Sequence, residues 1–219
     1  NDMHLSLRVP NIWFRARLQV PADGLDMVGV TLPGAPALVV GSTGKIAWGF
    51  TNSYVDVADL IELEVSTAAD GKQRYRSASG PQTLAVRNEM IEVAGADAVA
   101  FTVLDSQWGP VQEVDGKLYA VSWLAHNPLA VNAELIRFEQ AQSIDEAIAL
   151  AAQAGVPPQN LAVVDQHGSA GWALLGAMPA LAEGLDRRAA LRWQDAQPFH
   201  LRGNTDFASV MRREELRPR

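Results

Sequence analysis

Ala37-Leu38-Val39-Val40-Gly41-Ser42-Thr43-Gly44-Lys45-Ile46-Ala47-Trp48-Gly49-Phe50-Thr51 decides how this chain is read. A short apolar run meets a turn bounded by Gly41 and Gly44, and a second β-type run leaves it. Two such runs joined by a glycine-bounded turn predict a hairpin. The pattern continues on both sides. Residues 13–20 alternate apolar and polar near their end, as a half-buried strand does. Residues 60–65, 99–104 and 118–123 are further strand candidates, with turns at Ala69-Asp70-Gly71 and Ser79-Gly80-Pro81.

Helix signals follow the strand-rich part. Residues 128–142 place Leu129, Leu135, Ile136 and Phe138 among good helix formers. Ser143-Ile144-Asp145-Glu146 has the capping-box pattern ahead of residues 147–154, and Gly155 with Pro157-Pro158 stops that helix. Residues 161–164 and 170–175 read as a second hairpin around Asp165-Gln166-His167-Gly168. After Pro179 the periodicity weakens. Strands, then helices, then strands predict an α+β protein.

Composition narrows the function. The 219 residues are 48% hydrophobic and 20% charged, which suits a globular chain with a substantial core. A formal net charge of -7 leaves no electrostatic footprint for nucleic acid. Basic residues cluster only at Arg212, Arg213, Arg217 and Arg219, where Glu214 and Glu215 offset them. The absence of cysteine excludes disulfides, thiolate metal sites and cysteine nucleophiles. No apolar run reaches the length of a membrane span. Two apparent motifs fail on context. Ser42-Thr43-Gly44-Lys45 matches the S-x-x-K pattern but lies in a turn between strands, and Ile46 after Lys45 breaks a phosphate-loop reading. His126, His167 and His200 have no metal-ligand spacing.

Asn1-Asp2-Met3-His4-Leu5, Thr31-Leu32-Pro33-Gly34 and Gly44-Lys45-Ile46-Ala47-Trp48-Gly49, in that order, resemble the penicillin acylase family of N-terminal nucleophile amidohydrolases. The likeness is dense from Asn1 to Glu64. It returns at Trp108-Gly109-Pro110-Val111 and from Gln159-Asn160-Leu161 through Asp165 and Gly168 to Pro179. Asn1-Asp2-Met3-His4-Leu5 and Val9-Pro10-Asn11-Ile12-Trp13 point to the branch that includes acyl-homoserine-lactone acylases.

The resemblance implies part of an αββα sandwich with antiparallel sheets. Residues 1–219 would be a partial β subunit, lacking the nucleophile segment and the downstream remainder. The implied reaction is hydrolysis of an acyl amide (a penicillin, aryl-acetyl amide or acyl-homoserine lactone) through an acyl-enzyme on an N-terminal serine. That serine's own α-amine, with a pKa of about 8, is the implied base. The fragment alone is expected to be inert. Its implied partners are the small-molecule substrate, the α subunit and the other β-subunit segments. Quorum quenching or antibiotic chemistry and a periplasmic or secreted location come with the family.

Site residues follow by motif matching. The backbone N–H of Asn52 is the implied oxyanion donor, and His4 is implied to position the nucleophile. Met3, Leu5, Val40 and Phe50 are implied to line the acyl pocket. Asp56 and Asp59, with the carbonyls of Ala58 and Pro179, are implied ligands of a structural calcium. Without the resemblance each has a plainer reading. Asn52 is a strand-end turn residue, the apolar four are core, and the aspartates are solvated turn residues. A non-catalytic binding or structural module on the same scaffold is the alternative, and a calcium-dependent adhesion domain a third.

Overall fold

The computed structural model describes residue 5 and residues 8–180, 184–186, 188–196, 200–202 and 208–212. The chain divides into two compact units. The first comprises residues 1–55, 127–178 and 201–219, the second residues 56–126 and 179–200.

The first unit is built on a seven-stranded sheet. Its strands are β1 (Phe14–Val20), β2 (Leu25–Thr31), β3 (Val40–Ser42), β4 (Ile46–Asn52), β13 (Gln159–Asp165), β14 (Ala170–Leu175) and β18 (Ala208–Met211). They lie side by side in that order, and all pairings are antiparallel. One face carries every second residue into a core. Ile46, Trp48 and Phe50 from β4, Leu161 and Val163 from β13, and Ala173 and Leu175 from β14 are all buried there. Helix α1 (Ile144–Ala151) covers that face with Ile144, Ala147, Leu150 and Ala151. The fit is close because β14 has Gly171 at the contact. A Cβ there would come within 2.6 Å of the Ile144 Cγ2.

The capping pattern behaves as read, with one change. Ser143 accepts from the Glu146 N–H at 3.2 Å, and the Glu146 carboxylate reaches back to the Gln142 N–H rather than to that of Ser143. The helix expected over residues 128–142 is instead two 3-10 segments, Pro128–Ala130 and Glu134–Gln140. Two asparagines divide it. Asn127 accepts from the Leu129 N–H, and Asn132 accepts from both Glu134 and Gly155 N–H groups. Side-chain acceptors that capture nearby amides compete with helix propagation.

Residues 37–40 also differ from the expected strand. Only Val40 enters β3, because Leu38 spends its backbone on side chains. Its N–H donates to Glu139 at 3.0 Å, and its carbonyl accepts from the Trp48 indole at 3.4 Å. β1 is an edge strand, exposed along nearly its whole length rather than half-buried.

The second unit holds a six-stranded sheet in the order β16 (Leu191–Arg192), β5 (Ala58–Leu63), β12 (Lys117–Trp123), β11 (Gly109–Val114), β10 (Val99–Ser106) and β9 (Ala85–Ile91). Only β16 runs parallel to its neighbour. A three-stranded sheet of β6 (Val65–Thr67), β7 (Gln73–Tyr75) and β8 (Gln82–Thr83) belongs to the same unit. The expected strand 60–65 is thus split at Glu64, whose carbonyl accepts from the Arg76 N–H at 3.1 Å. Ile61, Leu63, Tyr75, Trp108 and Ala120 form the unit's core. A two-stranded sheet pairs β15 (Met178–Ala180) with β17 (His200–Arg202). Mostly antiparallel sheets with, among the described residues, one short α-helix make this an α+β chain, as its pattern of elements predicts.

Candidate active site

Three contacts fix β4, one at its start and two at its end. The Gln166 N–H donates to the Lys45 carbonyl at 2.9 Å, and the β4–β13 register continues in step from there. Hydrogen-bonded pairs therefore alternate along the ladder, with Ala47 opposite Val164, Gly49 opposite Ala162 and Thr51 opposite Asn160. Asn52, opposite Gln159, falls on an intervening position. Its N–H consequently points away from the β13 main chain. That side is occupied by β3 further back along the strand, at Ala47 and Trp48.

Two side chains then hold the strand end. Asn160 donates from Nδ2 to the Asn52 carbonyl at 2.9 Å and accepts from the Trp172 indole N–H at 3.1 Å. Ser53 donates from Oγ to the Pro158 carbonyl at 2.8 Å. Asn160 entered the sequence reading only as part of a motif, and Ser53 and Trp172 did not enter it as site residues. A strand asparagine opposite the site residue's neighbour is a faint signal that only the register makes legible.

The other site candidates are placed unevenly. Met3 and His4 lie outside the described residues. Leu5 is 41% exposed, and Val40 is partly buried at the start of β3. Phe50 is 8% exposed, and its ring meets Phe138 edge-on at 6.5 Å inside the core of the first unit. Its burial is that of a packing residue. On the opposite face of β4, the small residues Ala47, Gly49 and Ala162 floor an open trough of about 410 Å³ beneath Trp172.

The β13–β14 hairpin that supports this region has its own lock. Asp165 accepts from the N–H groups of His167 and Ser169, both at 2.9 Å. Those backbone donors, Ser169 first, hold its carboxyl below the usual aspartate range.

The four implied calcium ligands all belong to the second unit. Asp56 is exposed, Asp59 is partly buried and Pro179 is buried. Ala58 lies opposite Trp123, one step from the hydrogen-bonded pair formed where the Leu124 N–H meets the Val57 carbonyl. The Ala58 carbonyl is therefore directed away from β12 and is not used by that ladder. Two carboxylates and two carbonyls suit a hard cation in kind, though they fall short of the six to eight oxygens that calcium takes. Among the described residues no cluster of three histidine, cysteine or acidic side chains could hold a metal.

Residues 1–210 match the family model described as penicillin amidase. The chain belongs to the penicillin amidase family. It is 25% identical over 200 residues to the acyl-homoserine lactone acylase QuiP of Pseudomonas aeruginosa, which covers 84% of this chain and 23% of that protein. It is 29% identical over 172 residues to the acyl-homoserine lactone acylase PvdQ of Pseudomonas putida, covering 72% of this chain and 22% of that one. It is 31% identical over 111 residues to the penicillin acylase 2 proenzyme of Pseudomonas sp. SE83, covering 50% and 14%. Acyl-homoserine lactone acylases are thus among the relatives, in agreement with the branch read from residues 1–5 and 9–13.

The fold agrees as well. A thermostable penicillin G acylase from Alcaligenes faecalis superposes with a TM-score of 0.78 at 21% identity, over 92% of this chain and 37% of that one. The chain spans about a quarter or less of the curated penicillin amidase relatives that it matches. Among the described residues no helix is long and apolar enough to cross a membrane.

Proposed function

We propose that this chain supplies the oxyanion-binding strand of an enzyme that hydrolyses acyl amides. The observation that carries the reading is the register of β4, which directs the Asn52 N–H away from β13 while Asn160 restrains the same residue's carbonyl. A pre-positioned backbone donor is what a tetrahedral intermediate needs, because it stabilises developing charge without reorganising at the moment of reaction.

In this reading the nucleophile is the N-terminal serine that precedes Asn1 in the family's motif. Its hydroxyl attacks the amide carbonyl, and its α-amine takes the hydroxyl proton and passes it to the leaving amine. The carbon–nitrogen bond breaks and an ester to the serine remains. Water then attacks the ester, and the acid departs as the serine regains its proton. Asn52 donates to the oxyanion in both steps. His4 positions the serine, and Met3, Leu5 and Val40 face the acyl group. Phe50, whose ring packs on Phe138, is the fourth lining residue in this reading. The substrates are acylated homoserine lactones or penicillins, the classes named for its relatives, or aryl-acetyl amides. An α subunit and further β-subunit segments complete the enzyme, and it works in the periplasm or outside the cell.

The test uses the complete polypeptide that carries this chain, assayed for acid release from a phenylacetyl amide and an N-acyl homoserine lactone. Asn52→Pro removes the N–H, and loss of one oxyanion donor lowers kcat by about 100- to 1000-fold. Asn52→Ala keeps the N–H and should stay within a few-fold of the parent. Equal activity of both variants, or no hydrolysis by the parent, would overturn the reading.

Calcium bound by Asp56, Asp59 and the carbonyls of Ala58 and Pro179 is part of the same proposal. It supplies structural cross-linking and takes no part in the chemistry. Millimolar calcium should raise the melting temperature of the chain, and Asp56→Asn with Asp59→Asn should abolish the rise. A rise that persists in the double variant would exclude these ligands.

A further inference from the structure

We propose that the β9 edge of the second unit is a self-complementary surface that pairs with β9 of a second copy of this chain. β9 is the outermost strand of the six-stranded sheet, and all seven of its residues are exposed. It contains no proline, and a strand edge without one is a template for a further strand.

The strand's own sequence selects one register. Ala85-Val86-Arg87-Asn88-Glu89-Met90-Ile91 is symmetric in character about Asn88. A two-fold axis at Asn88 places Arg87 opposite Glu89 of the copy, and Val86 opposite Met90. An axis at Arg87 would oppose two arginines, and one at Glu89 two glutamates, which antiparallel pairs disfavour. An axis between two residues fails for another reason. Successive backbone groups in a strand point alternately toward β10 and outward. Only a residue-centred axis brings outward groups of one copy against outward groups of the other. The axis at Asn88 meets both conditions and uses the whole strand.

The side chains agree with this pairing. Val86 lies opposite Leu104, which lies opposite Val111, which lies opposite Ala120. The face that forms the unit's core therefore continues out to Val86 and Met90, which are 64% and 63% exposed. Pairing sets Val86 of each copy beside Met90 of the other and extends that face across the axis. Arg87, already bonded to Glu89 and Asp105 on its own hairpin, gains a second glutamate across the axis. Exposed ion pairs of this kind contribute direction more than strength and are screened by salt. The dimer is accordingly a weak one.

The chain has no cysteine, so Asn88→Cys installs a single thiol at the axis. At about 100 µM protein under mild oxidation, this variant should form disulfide-linked dimer at least tenfold faster than Asp97→Cys, which lies in the loop of the same hairpin. Glu89→Arg in the Asn88→Cys background should remove the advantage, and adding Arg87→Glu should restore it, because the double reversal is again self-complementary. Circular dichroism confirms that each variant is folded. Cross-linking of Asn88→Cys no faster than Asp97→Cys would overturn the proposal. So would a thiol at position 88 shielded from maleimide in the monomer, which would mean that another segment covers the edge. A double reversal that fails to restore cross-linking would reject this register.

Discussion

Two hairpins of similar length behave oppositely. In β13–β14 one face is sealed, with Leu161, Val163, Ala173 and Leu175 all at 2% exposure or less beneath α1. In β9–β10 nothing among the described residues does the same for Val86, Met90, Val99 or Phe101, each more than half exposed. The residue types are comparable, so hydrophobicity does not decide burial by itself. The difference is an amphipathic helix that ends at Ala151, with seven residues between it and the start of β13 at Gln159, and a glycine in β14 that lets it approach. A β-strand's apolar face becomes core only where another element is delivered to it.

The largest effect should come from emptying the sealed side. Phe138 is fully buried and its ring meets those of Trp48 at 5.9 Å and Phe50 at 6.5 Å. Phe138→Ala should destabilise the first unit by about 3–5 kcal/mol, measured by urea unfolding. A loss under 1 kcal/mol would show that this core collapses easily and would erase the contrast. Gly171→Ala tests the close approach of α1. A methyl that must displace Ile144 should cost about 1–3 kcal/mol, whereas a neutral result would mean that the helix shifts freely. Ser143→Ala removes the acceptor for the Glu146 N–H and should cost about 1 kcal/mol, read from the same unfolding curves.

Acid should act on the sealed hairpin's turn. Asp165 has a folded pKa below its ordinary value of 3.8, so its carboxylate contributes stability that is fully present above the unfolded pKa. That contribution is lost as pH falls through the folded value. The melting-temperature gap between the parent and Asp165→Asn should be widest near neutrality and close below pH of about 4. A gap independent of pH would remove charge from the account. The smallest effect is reserved for the open hairpin. At concentrations too low for pairing, Val86→Ala and Phe101→Ala should stay within about 0.5 kcal/mol of the parent. A larger loss would show that this hairpin is covered after all.

Much of this was legible in the sequence, and the exceptions share a cause. The two hairpins around Gly44 and Gly168, the strands 99–104 and 118–123 and the cap at Ser143 all rest on local chemistry. The helix expected at 128–142 failed because Asn127 and Asn132 capture amides, one of them from Gly155, 23 residues away in sequence. Residues 37–38 failed as a strand because Glu139, 101 residues on, takes the Leu38 N–H. Long-range side-chain acceptors leave no periodic trace. The same holds at the site. Motif matching names Asn52 as a candidate, but the amide that steadies it belongs to Asn160 on the neighbouring strand. Where Asn52 directs its N–H follows from register alone.

The indole of Trp172 stands at the far end of that link, joined through Asn160 to Asn52 and 38% open to solvent. A tug on the tip of β4 is passed to a chromophore two strands away by a pair of hydrogen bonds. The molecule thus carries an optical gauge beside the proposed oxyanion donor. A shift in the chain's tryptophan emission that Trp172→Phe abolishes would register an occupant near Asn52.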